Sequence, residues 1–116
     1  MKPRFQADAD VRSGVIEGLM RLDPRIDFQT ADKAGIRGKI DARVLKVTAD
    51  FDRILVTHDR RTMPLHFAAF IQHTQYPGVI VIAQNVPIVV AISELYKIWV
   101  DDEHDDYINR IVDVPF

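Results

Sequence analysis

Cysteine is absent from this chain of 116 residues, and its absence excludes three kinds of chemistry at once. Without a thiol there is no disulfide, no thiolate metal site and no cysteine nucleophile. Any metal ion must therefore be held by oxygen ligands or by the four histidines.

Long apolar runs are also missing. No stretch approaches the roughly 18 apolar residues of a transmembrane helix, and the first residues are not followed by the hydrophobic region of a signal peptide. Internal repeats and low-complexity tracts are absent as well. We therefore expect a cytoplasmic protein without a membrane partner, folded as one domain over residues 1–116.

Glutamate is scarce, because fourteen of the seventeen acidic residues are aspartate. Aspartate is a poor residue for a helix interior and a good helix cap, turn residue or ligand for hard cations. Six acids and one arginine fall within 101–116, and we expect the acidic run 101–106 to be a solvated segment. The remainder is mildly basic, which is compatible with nucleic-acid binding without requiring it.

The apolar pattern predicts alternating strands and helices. Apolar runs predict strands at 4–7, 53–57 and 78–82, with weaker candidates at 27–30 and 111–114. Helical spacing of apolar residues predicts longer helices at 11–22 and 88–99 and shorter ones at 41–50 and 65–73. This alternation predicts an α/β fold of three layers, in which helices cover both faces of a central, mostly parallel sheet.

Acidic residues follow the predicted strands at the edge where such sheets bind ligands. Asp8 and Asp10 follow the first strand, Asp59 follows the strand at 53–57, and Asp41 stands at a helix start that faces the same edge. Clustered carboxylates repel one another unless a cation neutralises them, and Mg²⁺ or Mn²⁺ suits an all-oxygen site. The sequence therefore predicts a divalent-metal site at this edge.

Helix capping is the alternative explanation for part of this pattern. Asp10, Asp32 and Asp41 each stand where a helix could begin, so each could accept hydrogen bonds from free backbone N–H groups. Asp8 and Asp59 are harder to explain in this way, because aspartate is depleted in strands and both follow apolar runs.

Three segments in this order resemble the PIN-like nuclease families, most closely the small PIN-like proteins of bacterial genomes. The segments are Phe5-Gln6-Ala7-Asp8-Ala9-Asp10, the glycine-containing loop 35–38 leading to Asp41, and Ile54-Leu55-Val56-Thr57-His58-Asp59. The resemblance covers nearly the whole chain, and the ordered set of three acids is its most specific part.

The resemblance implies a PIN-type fold and a nuclease that uses Mg²⁺ or Mn²⁺ to cleave a phosphodiester, with RNA as the expected substrate. It implies catalytic and metal-binding roles for Asp8, Asp41 and Asp59, an outer metal ligand at Asp10, and a hydroxyl at Thr57 that supports a carboxylate. Many relatives are ribonuclease toxins, so a small antitoxin from a neighbouring gene is an expected partner. A homodimer is a further possibility.

Arg60 and Arg61 depart from the family pattern, which often has another acid or an aromatic residue here. They could bind a substrate phosphate, or they could lie in a solvated surface turn.

The missing acid also leaves open an inactive PIN-like interaction module. A receiver domain is a weaker alternative, because it needs a lysine after its last strand, and none follows 78–82 or 111–114. Strand alternation predicts that His58 points away from Thr57 and Asp59 in a structural role.

Overall fold

The computed structural model describes residues 1–115. Its elements in chain order are β1 (Phe5–Ala7), α1 (Ser13–Leu22), β2 (Phe28–Gln29), α2 (Ala31–Ala34), α3 (Asp41–Asp50), β3 (Ile54–Thr57), α4 (Met63–Ile71), β4 (Val79–Ile82), α5 (Ile88–Asp101) and β5 (Ile111–Val114). A 3₁₀ turn at His104–Tyr107 precedes β5. All five predicted strands and four predicted helices are present, whereas α2 and the 3₁₀ turn were not predicted. Within the described range, no helix is long and apolar enough to cross a membrane.

The five strands form one parallel sheet in the order β2-β1-β3-β4-β5. Helices lie on both faces, so the predicted three-layer α/β/α architecture is confirmed. The chain steps outward from β1 to β2 and then returns to β3 on the other side of β1. In sheets of this kind, ligands bind outside the carboxyl ends of the strands where the direction changes. That point is the crevice between β1 and β3.

Each strand in the middle of the sheet contributes to two cores, because successive side chains point to opposite faces. Ile54 and Val56 of β3 join the core beneath α1 and α5, whereas Leu55 joins the core beneath α3 and α4. All residues of β3 and β4 are buried. This burial explains why both strands are continuous apolar runs rather than alternating patterns.

The connection from β4 to β5 differs in hand from the other crossovers. Both α4 and α5 link neighbouring strands that step in the same direction, but α4 packs on one face and α5 packs with α1 on the other. Two such crossovers must have opposite hands. The crossovers through α1 and α3 share the hand of α4, so the β4-α5-β5 unit is the exception to a rule that holds in about 98% of cases.

The prediction that segment 101–106 is solvated is wrong at His104. His104 is 1% exposed, and its Nδ1 accepts a hydrogen bond of 3.1 Å from the Arg4 amide. Because Nδ1 is the acceptor, Nε2 carries the proton that faces Asp52 Oδ1 at 3.3 Å. The acidic side chains around it remain exposed or half-exposed, as predicted. His104 therefore joins the segment to the amino-terminal edge of the sheet.

Gly78 supports a close approach between the start of β4 and the 3₁₀ turn. Its φ is +130°, and an added Cβ would lie 2.5 Å from the Tyr107 carbonyl oxygen. Gly78→Ala should lower the free energy of unfolding by about 3 kcal/mol, since backbone strain adds to the clash. Gly38→Ala is the matched control, because Gly38 also has a positive φ but no atom within 4 Å of an added Cβ. Its expected cost is about 1 kcal/mol. Equal losses in urea denaturation would contradict the packing argument.

Candidate functional site

The acidic residues lie at the carboxyl edge, beside the crevice between β1 and β3. Asp8 directly follows β1, and its amide still donates a 2.9 Å hydrogen bond to the Val56 carbonyl of β3. Asp59 comes two residues after the end of β3, and Asp41 is the first residue of α3. The sheet therefore places the predicted acids at the edge that the sequence indicated.

Thr57 connects the acidic residues that follow β1 to those that follow β3. Its hydroxyl donates to Asp8 Oδ2 at 2.8 Å, and Asp10 Oδ2 lies 3.5 Å from the same oxygen. In the other direction, the Asp59 amide donates to Thr57 Oγ1 at 3.1 Å. Thr57 is fully buried, so its hydroxyl position is fixed by the strand. The predicted hydrogen bond between Thr57 and a carboxylate is confirmed.

Asp8 carries a negative charge in unfavourable surroundings. Burial raises the pKa of Asp8 above its usual value of 3.8, against the hydrogen bonds from the Thr57 hydroxyl and the Ala9 amide, which lower it. The charges of Asp41 and Asp59 raise the pKa further. The ionised form of Asp8 thus lacks sufficient compensation within the protein, and a cation beside it would supply that compensation.

Asp10 is the second carboxylate of this edge. Both of its carboxylate oxygens lie 3.2 Å from the His58 amide, which donates to them. Burial against the neighbouring loop raises the pKa of Asp10, and the charge of Asp8 raises it further. Asp10 is more exposed than Asp8, so solvent screens its charge more strongly. The two carboxylates are electrostatically coupled and adjoin one hydroxyl group.

Asp59 is surrounded by hydrogen-bond donors instead. Its carboxylate accepts hydrogen bonds from the Arg61 amide at 3.0 Å, from the Thr62 amide at 2.9 Å and from the Thr62 hydroxyl. Burial would raise the pKa of Asp59, but these hydrogen bonds outweigh it and hold the pKa below the usual value. Asp59 therefore stabilises the loop that leads into α4.

The capping alternative is wrong for the three residues to which it was applied. The N-cap residues of α1, α2 and α3 are Arg12, Thr30 and Ile40, so Asp10, Asp32 and Asp41 are not N-caps. Asp59, which the sequence made harder to explain as a cap, is the residue that accepts several backbone N–H groups at a helix start.

Thr62 and His66 are polar neighbours of the acids that the sequence did not indicate. Asp41 Oδ2 lies 3.2 Å from Thr62 Oγ1 and 3.4 Å from His66 Nε2. Thr62 also contacts Asp59, so one hydroxyl links two of the predicted site residues. The sequence could have indicated the contact between Asp59 and Thr62, because an aspartate often accepts a hydrogen bond from a residue three positions later in a turn before a helix. No sequence signal joins Asp41 to His66, because their contact depends on how α3 packs against α4.

Oxygen ligands are available, but they do not form a complete cluster. Among residues 1–115, no group of three or more His, Asp or Glu side chains is close enough to hold a metal ion, so Asp8, Asp41 and Asp59 do not form one. Magnesium commonly uses only one or two protein carboxylates, together with water and substrate phosphate oxygens. The pair of Asp8 and Asp10 on Thr57 fits that smaller requirement.

Arg60 and Arg61 follow β3 and lie beside the acids, on the side of β3 that faces β4. Both side chains are exposed, and both line a groove that is closed on its far side by residues 83–85 after β4. Arg60 Nε is 3.8 Å from Asp113 Oδ1 of β5. His58 lines the same groove; as predicted it is turned away from Thr57, with Nδ1 2.9 Å from the Ile82 carbonyl oxygen of β4.

Replacing Asp8 tests the electrostatics without any substrate. The pKa of Asp8 is raised on folding, so ionised Asp8 reduces stability above its folded pKa, and this cost disappears as the pH falls toward 3.8. Asp8→Asn should therefore raise the melting temperature at pH 7 in chelator, with a gain that shrinks in acid. Asp50→Asn, at the exposed far end of α3, is the control for loss of one negative charge. A lower melting temperature for Asp8→Asn at pH 7 would refute the assignment.

Asp59 should behave in the opposite way. Its pKa is lowered on folding, so its ionised form adds stability that is present above the unfolded pKa of 3.8 and is lost as the pH falls through the lower folded value. Asp59→Ala should cost about 0.5–2 kcal/mol at pH 7, the range of lost helix caps. Thermal denaturation at neutral and acid pH measures both effects. A neutral or stabilising Asp59→Ala would contradict the stabilising role of Asp59 in the turn before α4.

Comparison with known proteins finds no relative of this chain. No family model, no curated protein and no solved structure matches the chain.

Proposed function

We propose that the protein is a divalent-metal-dependent nuclease that cleaves phosphodiester bonds of RNA. One observation supports this proposal above the others. Asp8 and Asp10 meet at the Thr57 hydroxyl, in the crevice where the strand order changes direction, and the pKa of Asp8 is raised there. An unneutralised pair of carboxylates at a ligand-binding edge is suited to a hard cation and its phosphate ligand.

Asp8 and Asp10 are the proposed primary metal ligands, and Mg²⁺ or Mn²⁺ is the proposed ion. When bound, such an ion activates water and neutralises charge on a phosphate. Asp41 and Asp59 are proposed as further members of the site, because their charges act on Asp8. Thr57 positions the Asp8 carboxylate, and Arg60 and Arg61 are proposed to bind substrate phosphate. The resemblance extends this proposal to a toxin that a small antitoxin holds inactive.

An inactive interaction module is the second candidate function. The incomplete ligand cluster within residues 1–115 and the engagement of Asp59 in the turn before α4 both favour it.

The strand order is also that of receiver domains. However, no lysine occurs in the segments after β1, β3 or β4, which span residues 8–12, 58–62 and 83–87. The receiver alternative therefore lacks the lysine that would contact a phosphoryl group.

Cleavage of a labelled RNA tests the proposed function. Asp8→Asn and Asp41→Asn should each lower Mn²⁺-dependent cleavage by about a hundredfold, with little further loss in the double variant, because both act through one metal site. Asp50→Asn should cleave as the parent does, since Asp50 lies at the other end of α3 and pairs with Lys46. Equal cleavage in chelator and in Mn²⁺ would exclude the metal mechanism.

Metal binding can be separated from cleavage by thermal denaturation. Mn²⁺ should raise the melting temperature of the parent, because it binds the native state, and Asp8→Asn should remove that response. Binding of Mn²⁺ without cleavage of any RNA would favour an inactive module that keeps its metal. No response to Mn²⁺ together with no cleavage would favour a module that has lost its metal site.

A further inference from the structure

The groove beside the acids, here called the 58–85 groove, is formed by residues 58–61 after β3 and 83–85 after β4. Its volume is about 410 Å³. This lies within the range of roughly 300–1,000 Å³ that is usual for small-ligand sites. Asp59 belongs to both the groove and the acidic edge, so a ligand in the groove would adjoin the proposed metal site.

One part of the 58–85 groove has the chemistry of a phosphate site. Arg61 is exposed and makes no ion pair with another residue of 1–115, while Arg60 is held only loosely by the exposed Asp113 at 3.8 Å. A guanidinium group presents a planar pair of donors that matches two phosphate oxygens. Arg61 is therefore the better placed of the two arginines to bind a phosphate.

His58 lines the groove with a buried ring nitrogen that has no hydrogen-bond partner among the described residues. It is 5% exposed, and its Nδ1 lies against the Ile82 carbonyl, which can only accept. Nδ1 therefore carries a proton. Nε2 is buried and has no hydrogen-bond partner among the described residues. A buried polar atom without a hydrogen-bond partner is costly, so a polar ligand group beside Nε2 would be favoured.

The remaining lining favours recognition of a base by its edge. Gln84 and Asn85 present exposed amide groups on the β4 side. No Phe, Tyr or Trp is among the lining residues, so the described groove offers no aromatic surface for stacking. Amide side chains form paired hydrogen bonds with adenine, which offers both a donor and an acceptor. That adenine edge, N6 and N7, lies in the deep, narrow major groove of an RNA duplex, where side chains cannot reach it, so it is available in a single strand.

We propose that the 58–85 groove binds one unpaired nucleotide of single-stranded RNA beside the bond to be cleaved. Arg61 binds the phosphate of this nucleotide, and Gln84 and Asn85 contact the edge of its base, for which adenine is preferred. The identity of the ligand as RNA rests on the proposed nuclease function. Binding in the groove needs no metal ion, so it can be measured separately from cleavage.

Fluorescence anisotropy in chelator tests the inference, with short labelled oligo(A) and oligo(U) as probes. The parent should bind oligo(A) about tenfold more tightly than oligo(U), the order expected for one paired amide contact. Asn85→Ala and Gln84→Ala should bring the two affinities together. Arg61→Ala should weaken both by about tenfold and reduce the slope of affinity against salt by about one. All three side chains are exposed, so the variants should fold as the parent does.

Arg21→Ala is the matched control, because it removes the same charge from the last turn of α1, at the opposite edge of the sheet. It should leave both affinities close to those of the parent. An equal loss in Arg21→Ala and Arg61→Ala would overturn the groove, since net charge alone would then explain binding. Equal affinity for a duplex of the same sequence would overturn the single-strand assignment.

The groove and the nuclease can fail independently. If Arg61→Ala and Asn85→Ala alter binding but no RNA is cleaved in Mn²⁺, the groove stands and the proposed nuclease fails. If Asp8→Asn abolishes cleavage while the groove variants bind and cleave as the parent does, the nuclease stands and the groove inference fails.

Discussion

The rest of the structure depends on the burial of both faces of the sheet. Helices cover β3 and β4 so completely that polar chemistry has room only at the ends of the strands. At the amino-terminal edge, the buried His104 accepts a hydrogen bond from the Arg4 amide and faces Asp52 with its other ring nitrogen. The carboxyl edge carries the acids and the 58–85 groove.

Two aspartates that follow neighbouring strands have pKa values shifted in opposite directions, because Asp8 is more deeply buried, lies near other carboxylates and accepts fewer hydrogen bonds than Asp59. Asp59 meets the backbone N–H groups at the start of α4 in addition to a hydroxyl, and together they outweigh the cost of burial. Asp8 meets one hydroxyl and one amide, which do not. Asp59 is thus suited to hold the loop that carries Arg60 and Arg61, whereas the negative charge of Asp8 is less well compensated within the protein.

The sequence predicted the strands and the place of the acids, because apolar runs and strand ends are local properties. It missed several contacts that depend on packing between distant segments. The neighbours of Asp41 became visible only once α3 lay against α4, and His104 was assigned to solvent because acidic residues surround it in sequence. The caps were misplaced for another reason: an N-cap is set by backbone geometry within one or two residues, and aspartates lie close to several helix starts. Gln84 and Asn85 carry no signal at all, since neutral polar residues are ordinary in loops.

The reversed hand of the β4-α5-β5 unit bears on the order in which the chain folds. A crossover of the usual hand can form from its own strands and helix, as a local unit. Here the apolar face of α5, including Leu95, packs in one core with Val15 and Leu19 of α1, which is far away in sequence. This unit therefore gains part of its stabilising contacts only after α1 has been placed. We expect docking of β5 to be a late step that closes long loops, and the contact order of the fold, more than its size, to limit the folding rate.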